Sequence, residues 1–135
     1  MKPVFFTLFL AAIVTGLSGC SAEKKFANRL RGTWEISRYD VNDTRAAARA
    51  SSDLGTITFN KNHTGVVEIR NIFTDNRGNA DSRSFRWSNT ANSVTISGDY
   101  ADLSKAWIVI TNKKKFQLWK STDGYNRIQE IELKR

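Results

Sequence analysis

The chain has 135 residues and is basic, with 21 Lys and Arg against 13 Asp and Glu for a net charge of +8. One cysteine excludes a disulfide scaffold, and one histidine beside it leaves no Cys/His set of the kind that builds a zinc site. The length suits one domain with a single modest core.

Met1 and Lys2 give a positive start, and Val4 to Val14 is an almost unbroken apolar run too short to span a bilayer. Residues 1–19 are therefore expected to be a secretory signal peptide that takes no part in the fold. The run ends in Leu17-Ser18-Gly19-Cys20. These four residues resemble the lipobox of bacterial lipoproteins, which implies lipidation of Cys20 with acyl chains such as palmitate, cleavage before it, and anchoring in a membrane. Ser21 stands where an aspartate would signal inner-membrane retention, so the resemblance implies the outer membrane and leaves the leaflet open. Residues 20–25 then form the lipidated N-terminus and a polar tether, and residues 26–135 the folded domain.

Removing residues 1–19 from 135 leaves 116 residues, and losing Lys2 leaves 20 basic against 13 acidic side chains, or +7. For an exported chain, the anionic partners at hand are lipid headgroups, lipopolysaccharide or acidic glycans, with no nucleic acid. A plain solvated surface accounts for the same charge.

Phe26 and Leu30 are four apart, giving a short helical turn with one apolar side, placed to cap a barrel end. From there the pattern is of short runs alternating apolar and polar residues between Gly, Asn, Asp and Lys clusters, about eight in all. The first strand is expected over 33–41, where Trp34 and Ile36 share a face and Tyr39 and Val41 change phase, the mark of a bulge or of the strand's exit. Residues 42–54, with the helix-favouring Arg45-Ala46-Ala47-Ala48-Arg49-Ala50, are expected to be a long connection and a lid. Strands follow at 55–60 and 66–73, joined by the turn through His63. Later strands carry Phe85 and Trp87, Val94 and Ile96, Trp107 to Thr111, Phe116 to Trp119, and Ile128 to Leu133. The glycines outside the signal segment fall at the ends and turns of these runs. Short sequential antiparallel strands hide both edges by closing, so the expected fold is all-β: an up-and-down antiparallel β-barrel of about eight strands, with a sandwich as the alternative.

Gly32-Thr33-Trp34 after a helical turn, the segment Ile57 to Gly65 and Phe85-Arg86-Trp87 are similar to the motifs of small lipocalin-like domains of the calycin superfamily found in bacterial lipoproteins. The resemblance covers residues 30–135 and implies a barrel that binds a small apolar or amphiphilic ligand. The chain is shorter than a full lipocalin and shows no C-terminal helical pattern.

The set expected inside is Trp34, Ile36, Ile57, Phe59, Val67, Ile69, Phe85, Trp87, Val94, Ile96, Trp107, Val109, Phe116, Leu118, Ile131 and Leu133. Among these, Trp34, Ile36, Phe59, Ile69, Phe85, Trp87, Trp107, Phe116 and Leu118 are the candidate ligand contacts. A filled interior and one with an apolar pocket both remain open, because eight strands sit at the size where either occurs. Ile108, Ile110, Trp119 and Ile128 take the opposite phase. They are the candidate partner-binding outer face, for another envelope protein, unless the 42–54 segment covers them.

No catalytic set emerges. His63 lies in a turn, and no Ser/His/Asp arrangement has an orienting partner. Residues 75–81 space oxygen side chains like a calcium loop, but Arg77 occupies a ligand position and no bidentate Glu follows, so they read as a turn. Glu130 and Glu132 share a strand face opposite basic residues. Lys113, Lys114 and Lys115 form a basic loop tip, either a solvated turn or a contact for phosphate headgroups. The sequence thus points to a binding module without metal, cofactor or enzymatic function.

Overall fold

The computed structural model describes residues 17–43, 49–70, 81–100, 102–122 and 127–135. One helix, α1 (Leu17–Leu30), precedes eight strands: β1 (Gly32–Asp43), β2 (Arg49–Phe59), β3 (Thr64–Ile69), β4 (Asp81–Asn89), β5 (Ser93–Gly98), β6 (Ala106–Lys113), β7 (Phe116–Thr122) and β8 (Arg127–Lys134). Each strand pairs antiparallel with the next, and β8 returns to β1, giving a closed barrel in chain order. Closure removes both edges, as the alternating short runs require.

The phase change seen in the first strand is a bulge. Between Ile36 and Arg38 the register slips on both sides: against β8 Ser37 is the extra residue, against β2 residues 53 and 54 stand opposite Ser37 alone, and Tyr39 returns to the interior. The Ser37 hydroxyl donates to the Glu132 carboxylate at 2.8 Å, holding the bulge against β8.

Three expectations need correction. The helical turn at Phe26 extends back to Leu17, so the segment expected as a tether has helical backbone. Phe26, Ala27 and Leu30 are the buried stripe that justifies it. The expected 42–54 lid is mostly strand: Val41 pairs with Arg49 and Asp40 with Ala50, so β1 and β2 run on as one ladder and only 44–48 lie between them, outside the described residues. At Arg49 and Ala50 cross-strand pairing overrides the local helix preference. Gly55 therefore sits within β2 and not at a strand end. Its φ is +135°, and a Cβ there would lie 1.8 Å from the Glu68 carbonyl oxygen, so only glycine lets β2 and β3 approach at this point.

The third correction concerns β7. Gln117, Trp119 and Ser121 point inward and are buried, whereas Phe116 and Leu118 are half-buried on the outside. A bulge between Val109 and Thr111 in β6 slips the β6–β7 register, so Trp119 stands beside Val109 of β6 and Ile131 of β8 on the inner face. The run Phe116-Gln117-Leu118-Trp119 permits either phase. Placing Trp119 inside buries the larger ring, and Gln117 is tolerated because its amide donates to Asn112 Oδ1 at 2.8 Å and the Lys113 carbonyl at 3.0 Å. The calcium-like loop and Phe73 lie outside the described residues.

Candidate ligand site at the end of the barrel opposite the helix

The connections β2–β3, β4–β5 and β6–β7 emerge at the end where α1 enters β1, and the others at the opposite end. The α1 end is closed. Phe26 and Leu30 plug it, the Trp34 indole donates to the Leu30 carbonyl at 2.7 Å, and Asn89 Nδ2 donates to the Glu23 carbonyl at 3.1 Å. Arg135 fastens the same end from β8: its guanidinium lies 4.1 Å over the Trp34 ring and donates to the carbonyls of Arg31 (2.9 Å), Arg29 (2.9 Å) and Lys114 (3.0 Å). Arg29 completes the clamp by donating to the Asn112 carbonyl at 2.9 Å.

Above the plug, Phe59 is the hub of an aromatic cluster, meeting Phe85, Trp87 and Trp119 edge to face at 5.6, 5.5 and 6.0 Å between ring centroids. Gly65 makes room for it, since a Cβ there would lie 2.2 Å from Phe85 Cζ. All four indoles find an acceptor: Trp34 on Leu30, Trp87 on the Thr64 carbonyl, Trp107 on the Leu103 carbonyl and Trp119 on Gln117 Oε1. Of the candidate ligand contacts, then, Trp34, Phe59, Phe85 and Trp87 are committed to the closed half, and Phe116 and Leu118 belong outside. Ile36, Ile69 and Trp107 remain on the side toward the opposite end, where the connections 44–48, 71–80 and 123–126 lie outside the described residues.

There the interior changes character. Leu54, Ile69, Leu103 and Trp107 form apolar walls, but Tyr39, Ser121 and Gln129 are buried among them. The Lys105 ammonium donates to Gln129 Oε1 and lies 5.7 Å from the Trp107 ring centroid. The β5–β6 connection that carries Lys105 folds back on itself, with Leu103 N and Ser104 N donating to the Tyr100 carbonyl at 3.1 and 3.0 Å. Arg83 places its guanidinium 5.6 Å over the Tyr100 ring. Burial pushes the Tyr39 phenol far above its ordinary range, and the nearby charge of Asp102 adds to the shift while Arg127 opposes it. The arrangement gathers apolar surface, a cation, an amide and phenols at one end. The sequence pattern marked Ile69 and Trp107 at this end but not Leu54, Leu103, Tyr39, Lys105 or Gln129. The signal for Tyr39 was the phase change at the bulge, and for Gln129 its alternation with Ile131 and Leu133.

The outer-face candidates separate. Ile108, Ile110 and Ile128 are exposed (57%, 52% and 49%), as their phase predicts, whereas Trp119 is inside. Lys120 and Glu130, paired across β7 and β8, stand between Ile108 and Ile128. Glu130 and Glu132 join a surface charge ladder: Glu130 meets Arg38 at 2.5 Å and Lys120 at 3.5 Å, and Glu132 meets Lys134 at 2.9 Å. The bond from Lys134, with smaller help from Ser37 and Arg38, holds the Glu132 carboxyl below its ordinary range despite partial desolvation. His63 occupies the expected turn at φ +63°, its ring 4.8 Å from that of Trp87. Among the described residues no three His, Cys, Asp or Glu side chains converge as metal ligands.

Comparison with known proteins agrees with this architecture. Among solved structures, a lipocalin-like protein from Bacteroides uniformis ATCC 8492 superposes with a TM-score of 0.56 at 12% identity, over 79% of this chain and 98% of that one. A redesigned β-barrel gives a TM-score of 0.48 at 16% identity, over 81% of this chain and 93% of its own. The first likeness speaks for the fold alone. Curated protein sequences return no match. The model of the lipocalin-like domain matches residues 30–118, from the end of α1 into β7, and the chain belongs to that family.

Proposed function

We propose that this chain is an exported lipoprotein, anchored through acylated Cys20, whose barrel binds a small amphiphile at the end opposite α1. It is a binding module and not an enzyme. The observation that carries the reading is the asymmetry of the interior. A barrel built only for stability would repeat the aromatic packing of the α1 half. The other half instead turns Lys105, Gln129 and Tyr39 inward beside Trp107 and Ile69, at the usual cost of burying polar groups. The Leu17 to Cys20 motif supports the anchor, and its position before a domain without other cysteines leaves the thiol no competing role. The resemblance at Ser21 favours the outer membrane.

The outer face gives less support to the competing reading of a protein-binding surface, because Trp119 has left it and Lys120 and Glu130 divide the rest.

Native mass spectrometry of the intact protein, purified from its own membranes in mild detergent, tests the proposal. The expected result is the acylated chain plus a stoichiometric small-molecule adduct, which Lys105→Met weakens without unfolding the barrel. A bare acylated mass in repeated preparations would refute ligand carriage, and an unmodified Cys20 would refute the anchor.

A further inference from the structure

The closed end of the barrel is strongly and asymmetrically charged. Lys24 and Lys25 on α1, Lys61 in the β2–β3 turn, Lys113 at the end of β6 and Lys114 and Lys115 in the β6–β7 turn are all exposed there. None of the six joins an ion pair among the described residues. Arg29, Arg31 and Arg135 lie at the same end. Glu23 and Glu35 are the described acidic side chains near it, while Glu130 and Glu132 sit in the charge ladder with Asp40 beside Glu130 on the β1–β8 wall, and Glu68, Asp99 and Asp102 lie toward the opposite end. A turn needs one or two lysines for solubility, and six unpaired ones gathered at one end from three separate segments exceed that need.

Two further features adjoin this charge. Ile108 and Ile110 are exposed on β6, the strand that leads into Lys113-Lys114-Lys115, so apolar side chains border the lysines on the wall next to the closed end. Cys20 lies in α1 six residues before Phe26, which is buried in the plug. Helical rise over six residues spans about 9 Å. An anchor at Cys20 would therefore hold the lysine-bearing end at headgroup distance.

We infer that the closed end, with the adjoining Ile108 and Ile110 wall, is a docking surface for anionic lipid headgroups of the membrane that carries the anchor, and that it turns the opposite end away from that membrane. Ammonium groups meet phosphate, and isoleucines beside them enter the headgroup boundary, as at other interfacial protein surfaces. The inference rests on the proposed lipid anchor for its geometry and on the lysines for its chemistry.

The absence of other cysteines makes the test direct. Acylated protein carrying Asn92→Cys, in the closed-end β4–β5 turn, or Asp99→Cys, at the opposite end, is labelled with a fluorescent donor. It is placed in vesicles bearing a headgroup acceptor, made of phosphatidylcholine alone or with phosphatidylglycerol. The labels stand roughly 20 Å apart along the strands. Phosphatidylglycerol should raise transfer from the Asn92→Cys label and lower it from the Asp99→Cys label. The shift should vanish in about 0.5 M salt, where the Debye length falls to roughly 4 Å, and in the triple variant Lys113→Gln, Lys114→Gln, Lys115→Gln. Transfer indifferent to lipid charge, or greater from the Asp99→Cys label, overturns the inference. Parent protein that takes up thiol label has a free Cys20, so the anchor reading has failed separately. The surface is then judged by vesicle binding, which should depend on phosphatidylglycerol and fall about a hundredfold in the triple variant; binding insensitive to those lysines overturns it.

Discussion

Arg135→Ala removes the side chain that fastens β8 to α1. The guanidinium stacks on Trp34 at 4.1 Å and donates to three backbone carbonyls at 2.9 to 3.0 Å. A cation–π contact of this kind contributes about 1 kcal/mol. Hydrogen bonds from a charged donor reach about 1.5–3 kcal/mol each when buried, but Arg135 is solvent-exposed and water replaces part of each bond, so roughly 0.5 kcal/mol apiece is the appropriate discount. The sum is about 2.5 kcal/mol, or a fall of roughly 10 °C in Tm for a domain of this size. Urea and thermal unfolding followed by tryptophan fluorescence would measure it. Arg135→Lys should recover less than half, because an ammonium keeps the charge but cannot fork across three acceptors. If Arg135→Ala unfolds within about 0.5 kcal/mol of the parent, the clamp is ornamental and the plug alone closes the barrel.

Two other outcomes check the interior. Trp119→Ala should cost about 3–5 kcal/mol by opening a cavity beside Phe59, whereas Leu118→Ser, one residue away and half-exposed, should cost under ~1 kcal/mol; the reverse order would restore the phase read from sequence. Tyr39 sets a pH dependence. Its folded phenol keeps its proton above the pH, about 10, where the unfolded one ionises. Over that window the native state binds more protons, so stability holds below about pH 10 and falls as pH rises through the folded value. Tyr39→Phe should flatten the alkaline limb of a pH series of urea midpoints, and parallel curves for the two proteins would show that Tyr39 is not desolvated.

Much of the barrel was legible because a strand with one face in the core writes a period of two. Trp34 and Ile36, Ile57 and Phe59, Phe85 and Trp87, and Ile131 and Leu133 are all buried as that period requires. The same rule located the outward Ile108, Ile110 and Ile128. It failed in β7, where Phe116-Gln117-Leu118-Trp119 alternates equally well in either phase and the choice is made by the β6 bulge, a feature of two strands together. It failed again at 49–54, where the β1–β2 ladder outweighed the helix preference of Arg49 and Ala50.

The candidate site was legible only in its apolar half. Trp107 and Ile69 follow the period, but Lys105 lies in a connection and meets Gln129 from another strand, a contact no local pattern encodes. Arg135 likewise acts on residues more than a hundred positions away.

By itself the sequence determined the strand alternation, the need for closure and the bulge in β1, because these depend on neighbours within a few residues. The tertiary structure decided which face of β7 is inside, which end of the barrel is plugged, and where the unpaired lysines gather, because each depends on register and closure that bring distant segments together.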